Sequence, residues 1–255
     1  MTRARGPAVS TLDALATFLH DVLGAAAYPP AERGGVFRPA RDTRDPVSRP
    51  IDRFGLALEP WPGLRAWAAD ATLDAVFLHR PWRLAPGDLA PSVGVLYSHL
   101  PFDAHLTTGD NAPLAAALGF LSRRRFGARD GRPLGMLGDV RPERAADLVA
   151  RVVAEFGGDD AVVLPDPERV VSRVAVVGAM TDALVREAAE RGAELYVTGQ
   201  LRAPARDAVT ATRIAVAAVG HARSEQWGLR ALARLFRERW GALDVRVAPP
   251  FPARG

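Results

Sequence analysis

Histidine is scarce in this chain, five among 255 residues, and four of the five sit at or just after short apolar runs. Val76, Phe77 and Leu78 lead into His79. In the stretch from Gly94 to His105, the run Val95, Leu96 and Tyr97 delivers His99, and Asp103 comes four residues later. A run of alanine and valine leads into His221, with Glu225 four residues on. Runs of this kind are commonly buried strands, and the residues after them lie at the carboxyl edge of a sheet, where α/β proteins place their sites. Imidazole nitrogen and carboxylate oxygen suit zinc, iron, manganese and related divalent ions, so the pattern points to metal. The spacing admits simpler readings as well. A neutral His99 hydrogen-bonded to Asp103, or Glu225 as a first-turn carboxylate favoured by the helix dipole, gives the same pattern. His20, on an N-terminal helix, reads as a solvated or packing residue.

The absence of cysteine excludes disulfides and thiolate ligands, leaving nitrogen and oxygen as donors. No G-x-S-x-G elbow, P-loop or G-x-G-x-x-G strand–helix junction occurs. Hydrolysis by metal-activated water is the natural chemistry for such a site.

The elements that must hold these residues are read from the rest of the chain. Hydrophobic residues make up 48% and charged residues 24%, an ordinary composition for a folded soluble protein of one large or two modest domains. The net charge is +4 and every basic residue is arginine. The arginines are spread rather than clustered, which argues against nucleic acid as the partner. No apolar stretch approaches the roughly 20 residues that span a bilayer. Asp13, His20 and Asp21 interrupt the N-terminal apolar segment at helical spacing, so it reads as an amphipathic helix rather than a signal peptide, and the expected location is cytoplasmic.

Residues 1–9 read as a loose basic tail. Ser10 reads as the cap of a helix of about 14 residues, with Leu12, Leu15, Ala16, Leu19, Val22 and Leu23 as its stripe. Residues 28–50 read as a long mobile loop. Strands are expected at Phe54–Leu58, Leu73–Leu78 and Val93–Ser98, with helices at Pro62–Asp70 and over 111–122. The polar cluster Arg123–Arg132 reads as a turn and a domain boundary. Beyond it come a strand at Leu134–Val140 and a helix at Pro142–Phe156, with Pro142 and Glu143 in its first turn. Further strands are expected at Ala161–Leu164, Val174–Val177, Glu194–Val197, Ile214–Val219 and Val245–Val247, with helices at Thr181–Arg191 and Trp227–Trp240. The alternation predicts an α/β architecture.

Several segments together resemble the Nif-three-like family, also called GTP cyclohydrolase 1 type 2 homologs, dinuclear-metal-centre hexameric proteins. Leu78-His79-Arg80-Pro81 stands where the family has His-His-Pro after a strand. His99-Leu100-Pro101-Phe102-Asp103-Ala104 matches its H-T-N-L-D-A motif. Gly220-His221-Ala222-Arg223-Ser224-Glu225-Gln226-Trp227-Gly228 matches its C-terminal G-H-Y-x-[ST]-E-x-x-G, and Gly178 to Gln200 matches a further segment ending in Thr-Gly-Glu. The resemblance covers the chain from about residue 51. It implies two α/β subdomains of the Nif-three-like type, over 1–125 with 210–255 and over 126–209. It also implies a site at carboxyl strand ends and a toroidal homo-hexamer built as a trimer of dimers. Carried over, the metal ligands are His79, Asp103, His221 and Glu225, with His99 beside them, and Glu225 or His99 shuttles protons.

This sequence departs from the family at informative places. The second histidine of the family's pair is Arg80, which cannot ligate a cation because its guanidinium stays protonated. One ion per subunit rather than two is therefore expected, with Arg80 reaching toward Asp103 or Glu225 in place of the other. Thr-Gly-Glu is Thr198-Gly199-Gln200, and Ile51 to Leu56 is a reduced form of a family segment. The resemblance implies a divergent metal-dependent hydrolase of GTP or a related small molecule. A non-catalytic metal-handling or scaffold ring is the alternative.

Overall fold

The computed structural model describes residues 9–41 and 44–249. The expected basic tail, apart from Val9, lies outside them, as do Asp42 and Thr43 of the expected loop. The chain forms two compact units, Met1–Phe102 with Leu229–Gly255, and Asp103–Gly228. In chain order the first contains α1 (Leu12–Val22), β1 (Gly35–Arg38), β2 (Arg53–Ala57), α2 (Leu64–Asp70), β3 (Ala75–Leu78) and β4 (Gly94–Tyr97). Helix α3 (Leu100–Leu106) carries the chain into the second. There the order continues with α4 (Ala112–Ala117), β5 (Arg124–Arg129), β6 (Arg132–Arg144), α5 (Ala145–Phe156), β7 (Ala161–Val163) and β8 (Val170–Val177). Next come α6 (Asp182–Glu190), β9 (Leu195–Thr198), α7 (Arg206–Thr212) and β10 (Ala215–Ala218). Helix α8 (His221–Arg239) starts in the second unit and ends in the first, where β11 (Asp244–Val247) is the last strand.

The sheet of the first unit has the order β1-β4-β3-β2-β11. Its strands are parallel except β1, which lies antiparallel on β4 at the edge. Every residue of β3 is buried, which is why the sequence there is an unbroken apolar run rather than an alternation. Helix α1 lays Leu12, Leu15 and Leu19 into the core. Its cap is Thr11, whose hydroxyl accepts from the Ala14 N–H at 3.1 Å, one residue later than expected. Ser10 instead donates to the Ile51 carbonyl at 2.7 Å. Strand β1 falls inside the stretch expected to be loop, because so short a strand beside two glycines carries no periodicity.

The sheet of the second unit has the order β5-β6-β8-β9-β10-β7, with β8, β9 and β10 parallel and the other pairings antiparallel. Two expectations are corrected here. The polar stretch 123–132 is a hairpin, with Arg129 paired to Arg132 across Asp130 and Gly131, both at positive φ. Asp-Gly at a two-residue connection is a strong hairpin signal. Pro142 and Glu143 belong to the end of β6 rather than to a first helical turn. A register irregularity between Asp139 and Glu143 accommodates the proline, which cannot donate to a ladder, and α5 begins only at Ala145. Residues 103–125 belong to the second unit, as does β10 by its pairing with β9. The chain returns to the first unit at Leu229, not near residue 210.

Candidate metal centre

Strands β3 and β4 lie side by side, and their register pairs Leu78 with Tyr97. The next residues on each, His79 and Ser98, therefore leave the sheet together. The His79 N–H donates to the Ala57 carbonyl at 3.1 Å, extending the ladder past the strand and fixing where the side chain begins. The imidazole is fully buried. Its Nδ1 lies 2.9 Å from the Ser98 carbonyl oxygen. A carbonyl only accepts, so Nδ1 carries the proton and Nε2 keeps its lone pair. Metal-binding histidines are held in this manner.

His99 stands between β4 and α3, its ring centroid 5.0 Å from that of His79. Asp103 lies in the first turn of α3. One nitrogen of each histidine and one carboxylate oxygen of Asp103 all lie within 4.8 Å of one another. Donors around an ion with bonds of about 2.1 Å sit roughly 3.4 Å apart in a tetrahedron. The group is thus near the separation an ion requires, and its donor chemistry suits a borderline divalent cation. Phe102, buried, places its ring 4.7 Å from His79 and 5.7 Å from Phe77. Gly34 (φ +80°) crosses so near the Tyr97–Ser98 peptide that an added Cβ would collide with the Tyr97 carbonyl oxygen and Ser98 Cα. Only glycine fits there.

His221 and Glu225 also come together. Strand β10 ends at Ala218, Gly220 turns at φ +93°, and α8 starts at His221, six residues before the expected Trp227. One turn later Glu225, 1% exposed, places Oε1 2.9 Å from Nε2 of His221, which is 66% exposed. Arg223 anchors the same turn through Asp160 at 2.6 Å.

Of the residues expected in the site, His79, His99 and Asp103 come together, and His99, expected only beside the ligands, offers a ring nitrogen to that group. His105 belongs to another neighbourhood, near Asp110, and burial holds its pKa below the usual histidine value. Asp110 is gripped by Arg123 and Arg125. Arg80 donates from Nε to Glu59 at 2.8 Å. Neither Glu59 nor the Ser98 carbonyl is marked in the sequence. The first lies 21 residues from its partner, and the second is a backbone group whose role depends on strand register.

The chain matches the family model described as Duf34/NIF3 (NGG1p interacting factor 3) over residues 89–249. It is similar to a GTP cyclohydrolase 1 type 2 homolog from Neisseria meningitidis, 33% identical over 143 residues, 56% of this chain and 56% of that one. The match thus spans about half the length of that relative. A protein of the same name from Pyrococcus abyssi is 24% identical over 250 residues, 92% of this chain and 97% of the other. Among solved structures, the structural-genomics protein ybgI, of unknown function, shares the fold with a TM-score of 0.73 at 24% identity, over 96% of this chain and all of that one.

Proposed function

The chain belongs to the Duf34/NIF3 family, and we propose that it holds a divalent metal ion through His79, His99 and Asp103 and acts as a metal-dependent hydrolase of a nucleotide or related small molecule. The observation that carries this reading is the convergence of three donor atoms within 4.8 Å, with the first donor already turned by the Ser98 carbonyl. Zinc, iron or manganese would supply Lewis acidity there. His79 offers Nε2, His99 a ring nitrogen and Asp103 the charge that offsets the cation. With His99 among the donors, proton transfer falls to Glu225, paired with His221. By the family resemblance these two also serve the metal.

One ion per chain is proposed, because Arg80 occupies the family's second-histidine position and its guanidinium holds Glu59. The names of the relatives motivate a purine nucleotide as substrate. Self-association as a hexamer belongs to the same proposal. Among the described residues no helix is long and apolar enough to cross a membrane.

The test combines elemental analysis of the purified full-length chain with hydrolysis assays on GTP after chelation and reloading. The expected result is about one ion per chain, with affinity falling ~100-fold or more in His79→Ala and hydrolysis falling with it. Metal-free protein after reloading, or metal retained undiminished by His79→Ala, would overturn the proposal. Tight metal binding with no turnover would favour a metal-handling or scaffold role, the reading that Arg80 supports.

A further inference from the structure

Among the described residues, only two aromatic side chains are strongly exposed, Trp82 at 57% and Phe37 at 41%. They come from segments 45 residues apart, yet they touch, with ring centroids 6.4 Å apart. Both stand edge-on against Tyr97, at 5.4 and 5.7 Å with interplanar angles of 77° and 75°. This packing fixes the planes of the rings, so their exposed surfaces are held in place rather than swung by rotamer changes. The fourth member is His99, whose ring centre lies 6.2 Å from that of Trp82. An aromatic wall thus begins in solvent and ends at a donor of the candidate metal group, all within the first unit.

We propose that this wall is the recognition surface for the substrate, and that it takes a planar heteroaromatic ring of the nucleobase class, stacked on Trp82 with Phe37 at its margin. This deepens the hydrolase reading and rests on it for the identity of the bound molecule as substrate. The physical case is one of area and position. Tryptophan and phenylalanine carry about 150–250 Å² each, so the exposed fractions leave roughly 200 Å² of free aromatic surface. A stable protein interface needs about 800 Å² per partner, which this patch does not approach. One face of a two-ring heterocycle fits it. Stacking tolerates any flat conjugated face, whereas an alkyl chain would gain burial without using the fixed planes. Continuity with His99 puts the edge of a stacked ring next to the donor group. Tyr97 contributes as a positioning residue, bracing both rings.

The experiment is calorimetric titration of the full-length chain with guanosine 5′-monophosphate and, as the ring-free control, ribose 5-phosphate, on metal-loaded and chelated protein. The expected result is binding of the nucleotide only. Trp82→Ala should weaken it by about 5- to 100-fold, with Trp82→Phe restoring most of the loss. Because Trp82 is exposed, the alanine variant should keep its melting temperature and its metal content. His79→Ala should lose metal and still bind the nucleotide, so failure of the metal reading and failure of this one give different results. Equal affinity in wild type and Trp82→Ala, binding of ribose 5-phosphate as strong as that of the nucleotide, or no nucleotide binding at all would overturn the proposal. So would a change in sedimentation mass on Trp82→Ala, which would make the wall a contact between copies of the chain.

Discussion

Two helical turns in this molecule carry a histidine and a carboxylate four residues apart, and they behave differently. At His99 and Asp103 a third donor, His79, arrives from the adjacent strand, so the pair opens into a group of three. At His221 and Glu225 the imidazole reaches back 2.9 Å onto a carboxylate that is almost wholly buried. The spacing is the same in both. What differs is the neighbouring strand: the register of β3 against β4 delivers His79 with its Nδ1 already committed. A His-x-x-x-acid match therefore describes a possibility, and the strand beside it decides the chemistry.

The contrast can be broken most forcefully through Gly34. Gly34→Ala strains a left-handed position and also drives a methyl into the Tyr97–Ser98 peptide, so a loss of about 2 kcal/mol or more is expected. Metal affinity should fall with it, because the Ser98 carbonyl orients His79. Gly157→Ala, at φ +76° with open space around it, supplies the strain alone and should cost about 1 kcal/mol without touching metal affinity. Denaturant melts alongside metal titrations of both variants measure the difference. If the two variants lose metal affinity equally, the coupling through Ser98 is wrong.

A smaller effect is expected at the second turn. His221→Ala removes the contact to Glu225 and should lower stability by about 1 kcal/mol, with a smaller loss of metal than His79→Ala produces. Glu225→Gln keeps an acceptor oxygen for His221 and should fall between wild type and His221→Ala in the same melts. A larger metal loss in His221→Ala than in His79→Ala would reverse the ranking of the two turns.

The smallest effect sharpens the comparison by substituting arginine for histidine as the holder of a carboxylate. Arg173, at 2.7 Å, and then the Ser122 hydroxyl hold the Asp139 pKa below its usual value. A depressed carboxylate contributes stability above its unfolded value, near about pH 4, and that contribution is lost as pH falls through the folded value. Asp139→Asn should therefore lower stability modestly at neutrality, where the contribution is fully present, flatten the acid limb below about pH 4, and change little at pH values below the folded value. Unfolding midpoints across the acid range give the slope directly; an unchanged slope would deny Asp139 any share in it.

The central strands and their terminal histidines were legible because parallel strands buried on both faces leave apolar runs that end sharply. The edges were not. Strand β1 is four residues long, and β5 carries Arg124, Arg125 and Arg129, as an exposed edge strand that resists unwanted pairing tends to do. That charge masked the Asp130-Gly131 turn signal. Helix α3 was hidden because Pro101 sits in its first turn, where proline is tolerated but reads as a break. The aromatic wall draws on residues 37, 82 and 97, and no local pattern links them.

Tyr97, Ser98 and His99 are consecutive, and each has a separate role. The first braces two exposed rings, the second supplies the oxygen that turns His79, and the third offers a nitrogen to the candidate metal group. Two of these roles belong to side chains and the middle one to a backbone carbonyl. Exchanging one side chain along this tripeptide disturbs one role. A single inserted or deleted residue between Val95 and His99 would shift all three roles together, so this segment is constrained in its length more tightly than in its composition.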